Sequence, residues 1–423
     1  MKFTSAFMRK KSQGISKVIA RKPSIMETSV ASSLFLALFS APVATAQEIS
    51  LYDYDQASSA VDEAYFTGTY SSENNRGSAQ SAYNLDLSTN LEQVFSSEDR
   101  DTSFKVDVSG NSSRGSDKDD QSEKRYRASS SITVDNYFEP GSKGMFWYGR
   151  GSVIGDDTFS DLQTTLSAGI GYGRVVNVTP MAKAIRLIDE LIERGAIDSA
   201  PSRVVYQQIA KIINKEAEFK SQYGSRSKFY QQPWIGAIET VLIENTLVQK
   251  GLSAKGILAM RDVLIDEKIS VRRHGWKVRA GLAYVGRNFE GIKNKPGLEL
   301  GAEYHRPINL KTQFSNEATL LSILDKDSDS YAFNNDMSLT YEIDDRLDWI
   351  NTWGINVNHS AVDSDNVITN SLTSTLAYEV GNNLDLTVSA GINKSTGNNV
   401  RTAGDLEDGT DKKFNFGIRY RLR

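Results

Sequence analysis

The 423-residue sequence has no cysteine, 8 prolines and 3 histidines. Without cysteine there can be no disulfide, zinc–thiolate site or thiol nucleophile, and the composition suits an oxidising compartment where a stray thiol is a liability. With so few histidines, neither a metal nor a cofactor is expected. Beyond the first fifty residues there is also no long apolar run, which excludes an α-helical membrane protein, because about 20 consecutive apolar residues are needed to span a bilayer. Mean hydropathy is -0.41, a value usual for soluble proteins. The same value arises where only every second residue of each strand is apolar.

The N-terminus speaks for export. Lys2, Arg9, Lys10, Lys11, Lys17, Arg21 and Lys22 precede an apolar run from Val30 to Val43 and the processing signature Ala44-Thr45-Ala46. That run has about 14 residues, too short for a membrane anchor, so residues 1–46 read as a signal peptide cleaved before Gln47. The long basic stretch leaves two readings open, an extended leader or a true start at Met26. Removing the leader takes the formal net charge from -4 to about -10. An acidic mature chain is not expected to bind nucleic acid.

From residue 61 onward, segments of alternating apolar and polar residues are separated by turns or polar loops. In Phe414-Asn415-Phe416-Gly417-Ile418-Arg419-Tyr420-Arg421-Leu422-Arg423 the even positions are apolar and the odd ones small, polar or basic. A period of two puts these sets on opposite faces of a sheet. Trp276, Val278, Ala280, Leu282 and Tyr284 share one face of another segment, with Lys277, Arg279, Gly281 and Ala283 on the other. A tilted strand carries Trp276 about 20 Å from Tyr284 along the membrane normal, close to the apolar band between two aromatic girdles. Trp276, Tyr284, Tyr304, Tyr341 and Tyr420 are therefore expected in those girdles. About fourteen strands (12–16) are predicted, beginning near residues 61, 80, 102, 124, 144, 162, 273, 297, 311, 330, 347, 366, 384 and 412.

The leader ending Ala44-Thr45-Ala46, the alternating segments and the terminal strand Phe414 to Arg423 together resemble bacterial outer-membrane β-barrel proteins as a class. The resemblance implies a mainly β, transmembrane antiparallel barrel in the outer membrane of a Gram-negative envelope. It would be surrounded by lipid and inserted by the outer-membrane barrel assembly machinery. The last strand departs from the class by ending Tyr420-Arg421-Leu422-Arg423 rather than on an aromatic residue.

Between Arg174 and Val271 the period of two gives way to helical spacing. Thr179-Pro180 opens a helix carrying Met181, Ala184, Ile185, Ile188, Leu191 and Ile192 and closed by Gly195, with Thr179 read as the N-cap. A second helix is predicted near Arg203 to Lys220, a third from Pro233-Trp234 and a fourth capped by Ser253. The predicted organisation is a signal peptide (1–46), an N-terminal periplasmic segment (47–60), the first part of the barrel (61–176), a helical periplasmic insertion (177–270) and the second part of the barrel (271–423). Two readings of the insertion stay open: a plug or brace filling the barrel mouth, or a docking module for a periplasmic or inner-membrane partner.

No catalytic constellation emerges. His359 and Ser360 superficially resemble the pair of outer-membrane phospholipases, but neighbouring strand residues point to opposite faces. Asp363 and Asp365 near His359 approximate the rim of omptin-like proteases and read more simply as a solvated loop. Asp325, Asp327 and Asp329 lack the glycine and later glutamate of an EF-hand. The alternating glycines of Gly169-Ile170-Gly171-Tyr172-Gly173 read as a place of close packing in the wall. The polar faces are expected to put Arg125, Arg127, Lys277, Arg279, Glu299, Glu303, Asp336, Arg419 and Arg421 in the lumen, the four arginines Arg125, Arg127, Arg419 and Arg421 forming an anion-friendly wall. The leading expectation is a porin-like transport channel or export port for a hydrophilic solute or envelope polymer, not an enzyme, with the helices gating it or docking a partner. A closed structural or assembly barrel is the alternative, and a barrel hydrolase the third.

Overall fold

The computed structural model describes residues 49–73, 79–224, 229–289, 291–325, 330–359, 366–381, 383–397 and 409–422. The expected signal peptide, Ser360, Asp363, Asp365, Asp327 and Asp329 lie outside the described residues. Fourteen strands follow one another: β1 (Ser59–Glu73), β2 (Ala82–Ser96), β3 (Arg100–Arg114), β4 (Glu123–Tyr137), β5 (Met145–Asp156), β6 (Gln163–Asn177), β7 (Arg273–Arg287), β8 (Lys293–Pro307), β9 (Thr312–Ile323), β10 (Tyr331–Asp344), β11 (Leu347–His359), β12 (Asn366–Gly381), β13 (Leu384–Thr396) and β14 (Gly409–Arg421). Each pairs antiparallel with its neighbours in sequence, and β1 closes on β14 from Tyr65 opposite Arg421 to Thr69 opposite Gly417. Closure leaves no unpaired sheet edge, the condition for strands to lie in lipid.

The alternation fixes which face is which. On β7, Trp276, Val278, Leu282 and Tyr284 are exposed while Lys277 and Ala283 are buried, so the apolar set points outward and the polar set inward. A lipid-facing exterior and polar interior make this a β-barrel of the outer-membrane type. Trp276 stands opposite Tyr304 and 5.8 Å from Tyr172. Tyr341 stands opposite Trp349, and Tyr420 opposite Leu384. These residues form an outward aromatic row at the end where the chain enters and leaves the barrel, the terminal end. Tyr284 and Tyr331 are exposed near the other end. The turns at the terminal end are short (97–99, 138–144, 308–311 and 345–346).

Between β6 and β7 lie five helices, α1 (Thr179–Glu193), α2 (Arg203–Asn214), α3 (Glu216–Tyr223), α4 (Gln231–Glu244) and α5 (Ala254–Arg261), and a π turn at Asp262–Asp266. The predicted second helix is two, broken at Lys215, which leaves helical geometry and lets α3 turn away. Val178 rather than Thr179 takes the cap position of α1. Because the helix follows β6 directly, the Asn177 carboxamide accepts the Thr179 N–H at 3.0 Å. Ser253 caps α5 as expected, accepting from the Gly256 N–H at 3.4 Å. None of the described helices is long and apolar enough to cross a membrane.

The helices share one core. Leu187, Ile188, Leu191, Ile209, Trp234, Ile238, Leu242 and Met260 are fully buried, each contributing about 1.5–3 kcal/mol by removal from water. Leu51, Tyr54, Val176 and Val178 belong to the same cluster. The segment before β1, read from sequence as separate, is thus built into the helical unit, anchored by a capping box in which Ser50 and Asp53 exchange hydrogen bonds around the 3-10 turn Leu51–Asp53.

Candidate functional site

The interior of the barrel divides into two unlike halves. The wall from β2 to β9 is charged, and its charges pair across the lumen. Lys105 on β3 reaches Glu317 on β9 at 2.8 Å and Glu92 on β2 at 3.6 Å. Glu92 also holds Arg273 of β7 at 3.0 Å. Deeper in this half, Lys277 and Arg279 of β7 converge on Asp135 of β4 at 3.0 and 2.7 Å, and Arg279 clasps Glu303 of β8 at 2.5 Å. Glu299 of β8 accepts from Ser167 at 2.8 Å and from Tyr148 at 3.4 Å. Desolvating these charges is expensive, and each is retained in a multi-partner arrangement that offsets the cost.

Glycines explain how this half closes. Phe146 and Tyr148, both fully buried, stand opposite Gly171 and Gly169, and an added Cβ at Gly171 would run into the Phe146 ring. The glycine run read from sequence as close packing is a floor on which lumen aromatics lie flat. Arg174 then gathers the turns at the terminal end, donating to the carbonyls of Glu98 and Ser142 at 3.1 and 3.2 Å with its guanidinium 4.0 Å from the Tyr137 ring centroid. A cavity of about 140 Å³ lies among these groups.

The wall from β10 through β14 is different. Its inward positions include Ser338, Thr352, Ser371, Thr373, Thr375 and Ser389, aligned by the registers of β10 with β11, β11 with β12 and β12 with β13. Hydroxyls and amides here outnumber charges over the middle of the lumen, with Asp336 set among them. Between this wall and the charged one are a cavity of about 660 Å³ lined by Asn90, Lys105, Glu317, Asp336, Thr352 and Ser371 and a vestibule of about 690 Å³ nearer the loop end, lined by Arg125, Arg127, Asn334 and Asn356. Phe159 stacks on Phe289 at 4.4 Å beside the vestibule.

At the terminal end the hydroxyl-lined wall meets the helical unit. Glu342 of β10 binds Arg272 at 2.6 Å and pairs with Arg186 of α1, which also pairs with Glu267. Lys268 binds Asp385 of β13 at 2.7 Å, and the same carboxylate takes Arg419 at 2.7 Å. Burial, with the nearby Arg419 charge, pushes the Lys268 ammonium below its ordinary pKa despite the Asp385 partner. Burial likewise raises Glu267 against the opposing pull of Arg186. The fit is therefore made of buried ionic contacts that break as a set if the unit shifts. On the opposite side Gln207 donates to the Asp53 carbonyl and Asn214 to that of Ser58, each at 2.6 Å, tying α2 to the entry segment.

The residues singled out from sequence fall as follows. Lys277, Arg279, Glu299 and Glu303 lie in the charged lattice. Asp336 lines the central cavity. Arg125 and Arg127 border the vestibule, paired with Glu123 at 3.4 Å and Asp156 at 3.2 Å. Arg419 and Arg421 sit at the terminal end, where Arg421 donates to the Tyr65 hydroxyl at 3.4 Å. The expected anion-friendly wall does not form: β14 and β4 are separated by β1, β2 and β3, the two arginine pairs occupy opposite ends, and Arg125, Arg127 and Arg419 have carboxylate partners. Asp325 pairs with Lys295 at 2.7 Å, and the outward His359 stacks on Tyr331 at 5.1 Å. Sequence reasoning missed Glu342, Arg186, Lys268 and Arg272. Inward parity at a strand end could have flagged Glu342; nothing in the helical pattern marked its partners.

Residues 266–380, from the π turn to β12, match a family described as protein of unknown function, DUF481. No curated protein matches the chain. Among solved structures it is similar to a loop L8 deletion mutant of OmpT, an outer membrane protein of Vibrio cholerae, with 6% identity over 86% of this chain and 100% of that one and a TM-score of 0.31. It is also similar to OprB of Pseudomonas putida at 6% identity, covering 86% and 93%, with a TM-score of 0.32. A third likeness is to the translocator domain of the autotransporter NalP from Neisseria meningitidis, at 7% identity, covering 94% and 95%, with a TM-score of 0.28. All three likenesses are weak in sequence and in superposition.

Proposed function

We propose that the protein is an outer-membrane channel in its closed state, with the path running along the hydroxyl-lined wall of β10 to β14 and the helical unit as its plug on the periplasmic side. The observation that carries this reading is the run of Ser338, Thr352, Ser371, Thr373 and Ser389 between an outer vestibule and a set of buried ion pairs that hold the helices in the mouth. A wall of hydroxyls and amides exchanges hydrogen bonds with a passing solute without holding it by charge, and conduction needs binding weak enough to release. The favoured cargo is therefore an uncharged, hydroxyl-rich solute or polymer. The barrel assembly machinery is the proposed inserter, a periplasmic protein that pulls on the helices is the proposed trigger, and no catalytic role is assigned.

The cross-lumen contacts Lys105–Glu317 and Lys277–Asp135 favour a second reading, a permanently closed structural or assembly barrel. Single-channel recording of the refolded protein, with and without residues 178–270, separates the two. Steps that appear or lengthen on deletion support the plugged channel. Silence of a correctly folded deletion variant supports the closed barrel.

A further inference from the structure

The lipid-facing surface carries one anomaly. On β10, Tyr331 and Tyr341 mark the two aromatic levels, about 26 Å apart for ten residues of tilted strand. Between those levels four asparagines point outward on four consecutive strands: Asn316 on β9, Asn335 on β10, Asn351 on β11 and Asn370 on β12. Register groups three of them, since Asn335 and Asn370 both stand opposite Ile355 and Asn316 stands opposite Met337, while Asn351, opposite Leu339, lies four residues nearer the terminal end. Corresponding outward positions on the other side are apolar: Ala168 and Ile170 on β6, Ala280 and Leu282 on β7, Leu300 and Ala302 on β8. Asn335 donates to Asn316 at a long 3.5 Å. Among the described residues, the side chains of Asn351 and Asn370 make no hydrogen bond.

Hydrocarbon offers an amide no partner, so uncompensated amides at this depth are costly. We infer that the outer face of β9 to β12 is the surface on which two copies of this chain pair side by side in the membrane. A second copy fits because a carboxamide is donor and acceptor at once: a two-fold axis through the patch sets amides of one copy against amides of the other, as an isologous contact requires. The patch bears no net charge that would demand a partner of opposite sign. Met337, Trp353, Ile355 and Leu372 surround the amides with apolar area to pack.

The absence of native cysteine allows a direct test. In lipid nanodiscs the mass of the wild-type protein is measured, alongside the double variant Asn351→Leu/Asn370→Leu and two single-cysteine variants, Asn335→Cys on the patch and Ala280→Cys across the barrel. The inference expects wild-type dimers, about tenfold weaker pairing in the leucine variant, and oxidative cross-linking through Asn335→Cys but not Ala280→Cys. Retained heat-modifiable migration shows that the variants fold. A wild-type monomer, a dimer indifferent to the leucine substitutions, or cross-linking through Ala280→Cys overturns it.

Discussion

The two halves of the lumen use the same wall for opposite purposes. From β2 to β9 the wall is braced: Lys105, Lys277 and Arg279 reach across to carboxylates on distant strands, and the Phe146 and Tyr148 rings settle on glycines. From β10 to β14 the inward positions over the middle of the lumen are mostly short hydroxyl side chains that cannot reach across, and the longer charged ones, Glu342, Asp385 and Arg419, sit at the terminal end. One half thus carries the struts, and the central cavity lies between them and the hydroxyl-lined wall. A barrel of this strand number can be filled on one side and still keep a path on the other, and what decides between them is side-chain length.

Four experiments press on that contrast. The largest effect is expected at Asp135→Ala, which leaves Lys277 and Arg279 short of a buried carboxylate and should cost about 3–5 kcal/mol, read as a lowered urea midpoint for barrel unfolding. A midpoint unchanged from wild type would mean that the lattice does not brace the barrel. Next comes Gly171→Ala, whose methyl collides with the Phe146 ring and should cost about 1–3 kcal/mol. Gly391→Ala in the other half meets its nearest atom, the Thr373 hydroxyl, at 3.4 Å and should be nearly neutral. Equal losses in the two would erase the distinction. Thr373→Arg should leave stability within about 0.5 kcal/mol of wild type while cutting conductance and shifting selectivity toward anions; an unaltered current would move the path elsewhere.

The smallest effect concerns the plug. Partial desolvation against the helix raises the carboxyl of the exposed Asp189 on α1 above its ordinary value of 3.8. The folded helices then bind more protons than the unfolded chain between 3.8 and the raised value, so their stability falls as pH rises through that window. Asp189→Asn should flatten this slope in hydrogen-exchange measurements on α1, and an identical slope in both proteins would assign it to another group.

The barrel was largely legible in the sequence because a period of two is a local property: Trp276 to Tyr284 declares both its faces without knowledge of any neighbour. Strand starts such as Arg273, Leu347, Asn366 and Leu384 are marked by the same local pattern. The helices were legible from spacing, but the break at Lys215 was not, since Ile212, Ile213 and Phe219 keep apolar spacing across it. What stayed hidden is what depends on distance through the lumen. Lys105 and Glu317 are 212 residues apart, and only closure and tilt of the barrel bring them together. For the same reason four inward arginines looked like one wall until topology placed them at opposite ends. Leu51 and Tyr54 gave no sign of joining the helical core, because a short segment carries no periodicity.

The most direct test of a path confined to one half uses single cysteines in a background that has none. Thr373→Cys on the hydroxyl-lined wall and Thr133→Cys in the braced half are each placed in the channel freed of residues 178–270. Single-channel current is then recorded before and after a charged, membrane-impermeant thiol reagent is added. The account predicts that modification at Thr373→Cys blocks the current and that Thr133→Cys leaves it unchanged. Block at Thr133→Cys with none at Thr373→Cys, or no current in either folded variant, would contradict it.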